Sequence, residues 1–170
     1  MATVLDAVPD ELDPSQKNII AQIRKHGWMG TYVMADEEGP SFSYTMGFWL
    51  KFSFPEVILF SVPREKAHDI FWAIYREIDE GRRLPIGVPV DGFIRNFQIV
   101  FLPVSVEQYR EYLGQNRWFY DGDDFECLQL VFPDREGNFP WSSEASDEFR
   151  ACQPDLTEGD WSGLCHSGDE

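Results

Sequence analysis

Hydrophobic and polar positions alternate along this chain in a way that sets out an ordered series of elements. Asp13-Pro14-Ser15-Gln16 reads as a helix start: Asp13 caps, Pro14 suits the first helical position, and Gln16 completes a capping box. Ile19, Ile20 and Ile23 then fall on one apolar face, and Gly27 is the stop. Trp28 to Ala35 reads as a strand, Glu37-Glu38-Gly39-Pro40 as a turn, and Phe42 to Trp49 as a second strand, which together predict a hairpin. Val57-Ile58-Leu59-Phe60 is a continuous apolar run, the pattern of a central strand covered on both faces. Pro63 opens a helix to about Glu80, with Ala67, Ile70, Phe71, Ile74 and Ile78 at helical spacing and Gly81 closing it.

Pro85 and Pro89 confine the next extended piece to an edge or a loop. Phe97, Ile99 and Phe101 alternate with Asn96, Gln98 and Val100, which predicts a long strand up to Pro103. Ser105 and Gln108 read as another capping box, opening a short helix that Gly114 closes. Cys127 to Phe132 is the last clear strand, and beyond Pro133 the chain is turn-rich, with Trp141, Phe149 and Trp161 as its anchors. The order predicts a single α+β domain: a mostly antiparallel sheet of about five or six strands with two or three helices packed on one side of it. An acidic segment over 1–14 precedes this domain, taken as 15–158, and an acidic, mobile tail over 159–170 follows it.

Composition refines that picture. The chain has 170 residues, 43% hydrophobic and 26% charged, which suits a folded domain with a real core. Fourteen Phe, six Trp and six Tyr suggest an aromatic-rich interior or pocket. No apolar run approaches the ~20 residues of a membrane span. Met1 to Asp13 holds four acids and no base, unlike a signal or transit peptide. Three cysteines, Cys127, Cys152 and Cys165, are too few and too odd for a disulfide framework. A reducing cytoplasm is the expected setting.

Charge is where the chain departs most from the ordinary. The net charge is −16, with a balanced body over 15–120 and two bases against 14 acids over 121–170. That field disfavours nucleic acid and anionic membranes as partners. It suits solubility, or attraction to a basic protein partner.

The motifs of phosphate-loop, dinucleotide, zincin and nucleophile-elbow chemistry are missing, and no catalytic residue, metal ligand set or cofactor is assigned. His26, His68 and His166 stand apart from one another; His26 suits the C-terminal end of the first helix, where the dipole favours a cation, and His68 falls on the solvated polar side of the second. The carboxylate run Asp121-Gly122-Asp123-Asp124-Phe125-Glu126 misses the EF-hand spacing, because Phe125 stands where a ligand belongs, and reads as a solvated loop.

Several segments together are similar to one bacterial family. They are Ile23 through Gly27-Trp28; Phe42-Ser43-Tyr44-Thr45-Met46-Gly47-Phe48; Pro55-Glu56-Val57-Ile58; Gln129-Leu130-Val131-Phe132-Pro133-Asp134; Gly137; Pro140-Trp141; and Gln153-Pro154. Their order and spacing resemble the family known as domain of unknown function 4262, across about residues 19 to 156. Met46 and Phe48 stand where that family favours smaller or aliphatic residues, and the acidic tail lies beyond the similarity. The resemblance implies a shared fold and supplies no catalytic residue.

Two functional readings follow. One is a non-enzymatic interaction module, in its narrow form an acidic immunity or inhibitor protein against a basic toxin; the motives are charge, size and aromatic anchors. The other is a small-ligand binder or enzyme. Its pocket would be built from Tyr44, Thr45, Gln129 and Asp134, polar groups on or at the ends of apolar strands, walled by Trp49, Trp118 and Trp141. The same residues also fit a satisfied polar network inside the core. Oligomeric state is left open.

Overall fold

The computed structural model describes residues 3–6 and 9–161. Six strands form one sheet: β1 (Met29–Val33), β2 (Phe42–Met46), β3 (Glu56–Phe60), β4 (Val90–Ile94), β5 (Phe97–Pro103) and β6 (Cys127–Val131), in the spatial order β1-β2-β3-β6-β5-β4. The β1–β2 hairpin and the antiparallel β2–β3 pair follow from short connections. β6 then inserts between β3 and β5, antiparallel to β5 but parallel to β3. The sheet is therefore mixed, which corrects the expected mostly antiparallel arrangement. Side-chain patterns mark an element as a strand but carry no record of the neighbour it will pair with. Glu56–Phe60 is buried at every position, as two covered faces require.

The helices are also more numerous than the two or three expected, and they lie on both faces. They are α1 (Pro14–His26), α2 (Phe48–Phe52), α3 (Arg64–Asp79), α4 (Tyr109–Tyr112), α5 (Gly114–Phe119) and α6 (Asp147–Ala151). α1 begins with the expected box: Asp13 accepts from the Gln16 amide while the Gln16 side chain accepts from the Asp13 amide. Gly27 closes it in the left-handed conformation. α3 carries Ala67, Ile70, Phe71 and Ile74 onto the sheet face that presents Val57, Leu59, Ile99, Phe101, Leu128 and Leu130. The opposite face, with Tyr44, Met46, Ile58, Phe60 and Cys127, is covered by Ile19 and Ile23 of α1 and by Tyr109, Leu113 and Phe119. Ser105 makes no side-chain cap, and Gly114 opens α5 instead of ending the chain's helical stretch.

The segment after β6 is less free than its turn-rich sequence suggests. Phe139, Trp141 and Trp161 pack over Val100, Leu102 and Val131, and Trp161 is 8% exposed. The rest of the expected tail, with Cys165 and His166, lies outside the described residues. Among the described residues, no helix is long and apolar enough to cross a membrane.

Candidate functional site

Residue by residue, the largest concentration of buried polar chemistry gathers around Glu56, the first residue of β3, which has no exposed surface. A carboxylate withdrawn from water must find donors to replace its hydration. Glu56 finds them in a helix start. Gly47 and Trp49 donate their amides to Oε2 at 2.9 and 3.3 Å, and Phe48 donates to Oε1 at 3.1 Å. Thr45 Oγ1 donates to Oε1 at 2.8 Å and itself accepts from the Val57 amide. The Tyr120 hydroxyl donates to Oε2 and also accepts from the Gly47 and Leu50 amides. The free amides that open α2 are thus served by a carboxylate and a phenol from distant parts of the chain, in place of a local cap. Asn116 donates to the Thr45 carbonyl at 2.9 Å and ties α5 to the same knot.

Gly47 is fixed in this arrangement by space. Its φ is 111°, and a Cβ built on it would stand 2.5 Å from the Gly27 carbonyl oxygen and 2.9 Å from Trp28 Cα. A side chain here meets backbone that has nowhere to move. The segments Gly27-Trp28, Thr45-Met46-Gly47 and Pro55-Glu56, which the sequence shows far apart, meet at this point.

Burial pushes the Glu56 carboxyl up from its ordinary value to about 7, against the pull of the hydrogen bonds from Tyr120, Thr45, Gly47 and Trp49. Burial first, and then the nearby Glu56 charge, hold the Tyr120 phenol far above its ordinary value. Burial also raises the Tyr44 phenol to about 12 and the Cys127 thiol well above its usual range. The knot can therefore hold a proton near neutrality, on a carboxyl that has no exposed surface.

A second network fastens the chain beyond β6. Gln129, also fully enclosed, donates Nε2 to the Pro154 carbonyl at 2.7 Å and accepts from the Leu156 amide at 3.2 Å. Gln153 uses its amide as a strand would: Oε1 accepts from the Phe132 N–H and Nε2 donates to the Phe132 carbonyl.

The seven residues singled out from sequence are distributed as follows. Tyr44, Ile58, Gln129 and Leu102 form one row across the sheet face. Tyr44 lies under α5, its hydroxyl accepting from the Gln115 amide. Thr45 belongs to the Glu56 knot. Trp49 and Trp118 are half-buried against the same core cluster. Gln129 holds the returning segment. Asp134 closes its own turn, accepting from the Glu136 and Asn138 amides. Trp141 stacks on Phe139 at 4.9 Å and meets Trp161 edge-on. Glu56, Tyr120 and Asn116 were not among them, although a lone acid abutting an apolar run is the mark of a buried, partnered carboxylate. His68 is exposed, as expected, and its ring also stacks on Trp28 at 5.4 Å and accepts from Trp72 Nε1 at 3.0 Å.

An open cleft lies elsewhere, of about 700 Å³, between the start of α3, the β4–β5 turn and the residues after β6. Val62, Ile70, Phe93, Phe97 and Phe132 give it apolar walls; Lys66, Arg95 and Arg135 stand round it with Asp69 and Asp134. Of the seven residues above, only Asp134 borders it.

Fold and interior together define a small α+β domain, helices on both faces of a mixed sheet, in which the start of α2 and the chain return are held by enclosed side-chain networks. The chain belongs to the family described as Domain of unknown function (DUF4262), whose model matches residues 22–146. No curated protein and no solved structure matches it.

Proposed function

We propose that the protein is a non-enzymatic interaction module that takes up a basic partner protein through the acidic layer contributed by residues 121–160. The observation that carries this reading is the state of the carboxylates there. Asp121, Asp124, Glu126, Glu136, Glu144, Glu148 and Glu158 are exposed and make no ion pair among the described residues. Asp123 is bridged by Arg117, and Asp147 by Arg150. Exposed charges of one sign on a firmly anchored layer steer an oppositely charged partner and orient it on encounter. Inhibition of a basic toxin, in the manner of an immunity protein, is the narrower form of the reading.

The experiment is capture with the tagged full chain from a lysate of its source cells at about 50 mM and about 500 mM salt, read by mass spectrometry. A stoichiometric basic protein at low salt, lost or slowed at high salt, is the expected result. Glu144→Lys with Glu148→Lys then slows association several-fold. Recovery of no stoichiometric protein at low salt overturns the reading.

A further inference from the structure

The cleft beside β3 and β6 lies where the chain's own topology opens the sheet. These two strands are parallel neighbours. From β3 the chain leaves through Ser61 and Val62 into α3, which covers the Val57 and Leu59 face. From β6 it leaves through Phe132 and Pro133 into the segment that covers the opposite face at Val131. Connections that depart to opposite sides leave a crevice outside the carboxyl ends of the strands, the position at which open α/β sheets hold their ligands. The hairpin turn between β4 and β5, with Asn96 in the left-handed conformation at φ 68°, brings Arg95 to the third side of the same opening.

The chemistry of the opening is selective. Ile70, Phe97 and Phe132 supply an apolar floor, and about 700 Å³ is the size of a small-molecule site. Lys66, Arg95 and Arg135 border it, all exposed, and none makes an ion pair among the described residues. Most of the other lysines and arginines also make no ion pair among the described residues, so what sets these three apart is that they gather round one apolar opening. Against these three cations stand Asp69 and Asp134, leaving one positive charge in excess. Asp134 is already engaged by the amides of its own turn. A doubly charged phosphate group exceeds that balance, and a strongly charged ligand is repelled by the molecule as a whole before it arrives. A ligand with one negative charge on an apolar body fits both the rim and the floor.

We propose that this cleft binds a small amphipathic carboxylic acid, its body on Ile70, Phe97 and Phe132 and its carboxylate between Arg95, Arg135 and Lys66. The cleft shares Phe132 to Arg135 with the stretch that carries the acidic layer, but the proposal does not rest on the partner proposed for that layer.

The test uses the full chain with octanoate, 4-phenylbutyrate and indole-3-propionate at up to about 5 mM, each beside its uncharged alcohol, and inorganic phosphate as a bare anion, read by thermal shift and titration calorimetry. At least one acid is expected to raise Tm and bind, its alcohol at least about tenfold more weakly, and phosphate not at all. Arg95→Gln with Arg135→Gln, both exposed, is expected to weaken the acid about tenfold at unchanged far-UV circular dichroism. Lys66→Gln gives the same direction of change by a separate route should that pair misfold. Binding of no acid, equal binding of acid and alcohol, binding of phosphate alone, or an affinity unmoved in a folded variant each overturns the proposal.

Discussion

The knot around Glu56 and the cleft beside β3 and β6 are both assembled from charged groups set against aromatic rings, and they treat those groups in opposite ways. At Glu56 the carboxylate receives donors from Thr45, Gly47, Phe48, Trp49 and Tyr120 and has no contact with water. At the cleft, Lys66, Arg95 and Arg135 are exposed and without ion pairs among the described residues. A polar group inside a low-dielectric interior is costly unless satisfied, so evident saturation marks a group that holds the fold. A polar group at an apolar opening can stay unsatisfied because water serves it until a ligand arrives. The comparison teaches that the residues most tightly networked here are the architecture, and the loosely held ones are available for recognition.

The sharpest way to break that contrast is at Gly47. Gly47→Ala places a Cβ against the Gly27 carbonyl at a positive φ, and the expected loss is at least about 3 kcal/mol, or failure to fold. Urea denaturation measures it; a loss below about 1 kcal/mol means the backbone at Gly27 and Trp28 yields, and the knot is not rigid.

Glu56→Gln is next, with an expected cost of about 2 to 3 kcal/mol near neutral pH, since an amide nitrogen would face donors. The same pair of proteins reads the carboxyl's titration. Because burial raises the folded-state value from 4.5 to about 7, the native state binds a proton that the unfolded state has released. The stabilising contribution of that proton is fully present below 4.5 and disappears as pH rises through about 7. The stability advantage of the native chain over Glu56→Gln should therefore shrink by up to about 3 kcal/mol from about pH 5 to about pH 8. An advantage that widens with pH would show that the five donors outweigh burial.

Gln153→Ala should cost about 1 to 2 kcal/mol, because the Phe132 N–H and carbonyl lose their partners. Protection of the Phe132 amide from hydrogen exchange should drop with it, and unchanged protection would argue that Gln129, Trp141 and Trp161 hold the return segment without Gln153. The smallest effect is expected at the cleft: Arg95→Gln with Arg135→Gln should leave stability within about 0.5 kcal/mol. A larger loss would place those arginines with the architecture.

Much of this fold was written in local pattern. The α1 capping box, the apolar face of α3 and the alternation through Phe97, Ile99 and Phe101 each depend on residues close in sequence, and each appears where the spacing puts it. What escaped was non-local. Phe48 and Trp49 continue the strand pattern in sequence yet open α2, because its first turn is capped by Glu56 and Tyr120 and no residue beside it announces a helix. The parallel pairing of β3 with β6 depends on a chain return that periodicity does not encode. At the site, Thr45 and Gln129 were recognised as polar groups on apolar strands, but the sequence could not say that Thr45 serves Glu56 and Gln129 serves Pro154. The cleft was missed because Lys66, Arg95 and Arg135 are far apart in the chain, and only the sheet's strand order brings them together.

The Gln153 pairing with Phe132 bears on where this domain should be cut. The family's shared stretch closes at residue 146, yet Gln153, Pro154, Leu156 and Trp161 cover β5 and β6 from outside it. A protein trimmed to that boundary would keep Phe139 and Trp141 but lose Trp161 from over Val100, Leu102 and Val131, together with the partners of Gln129 and Phe132, so the inherited signature is shorter than the unit that packs.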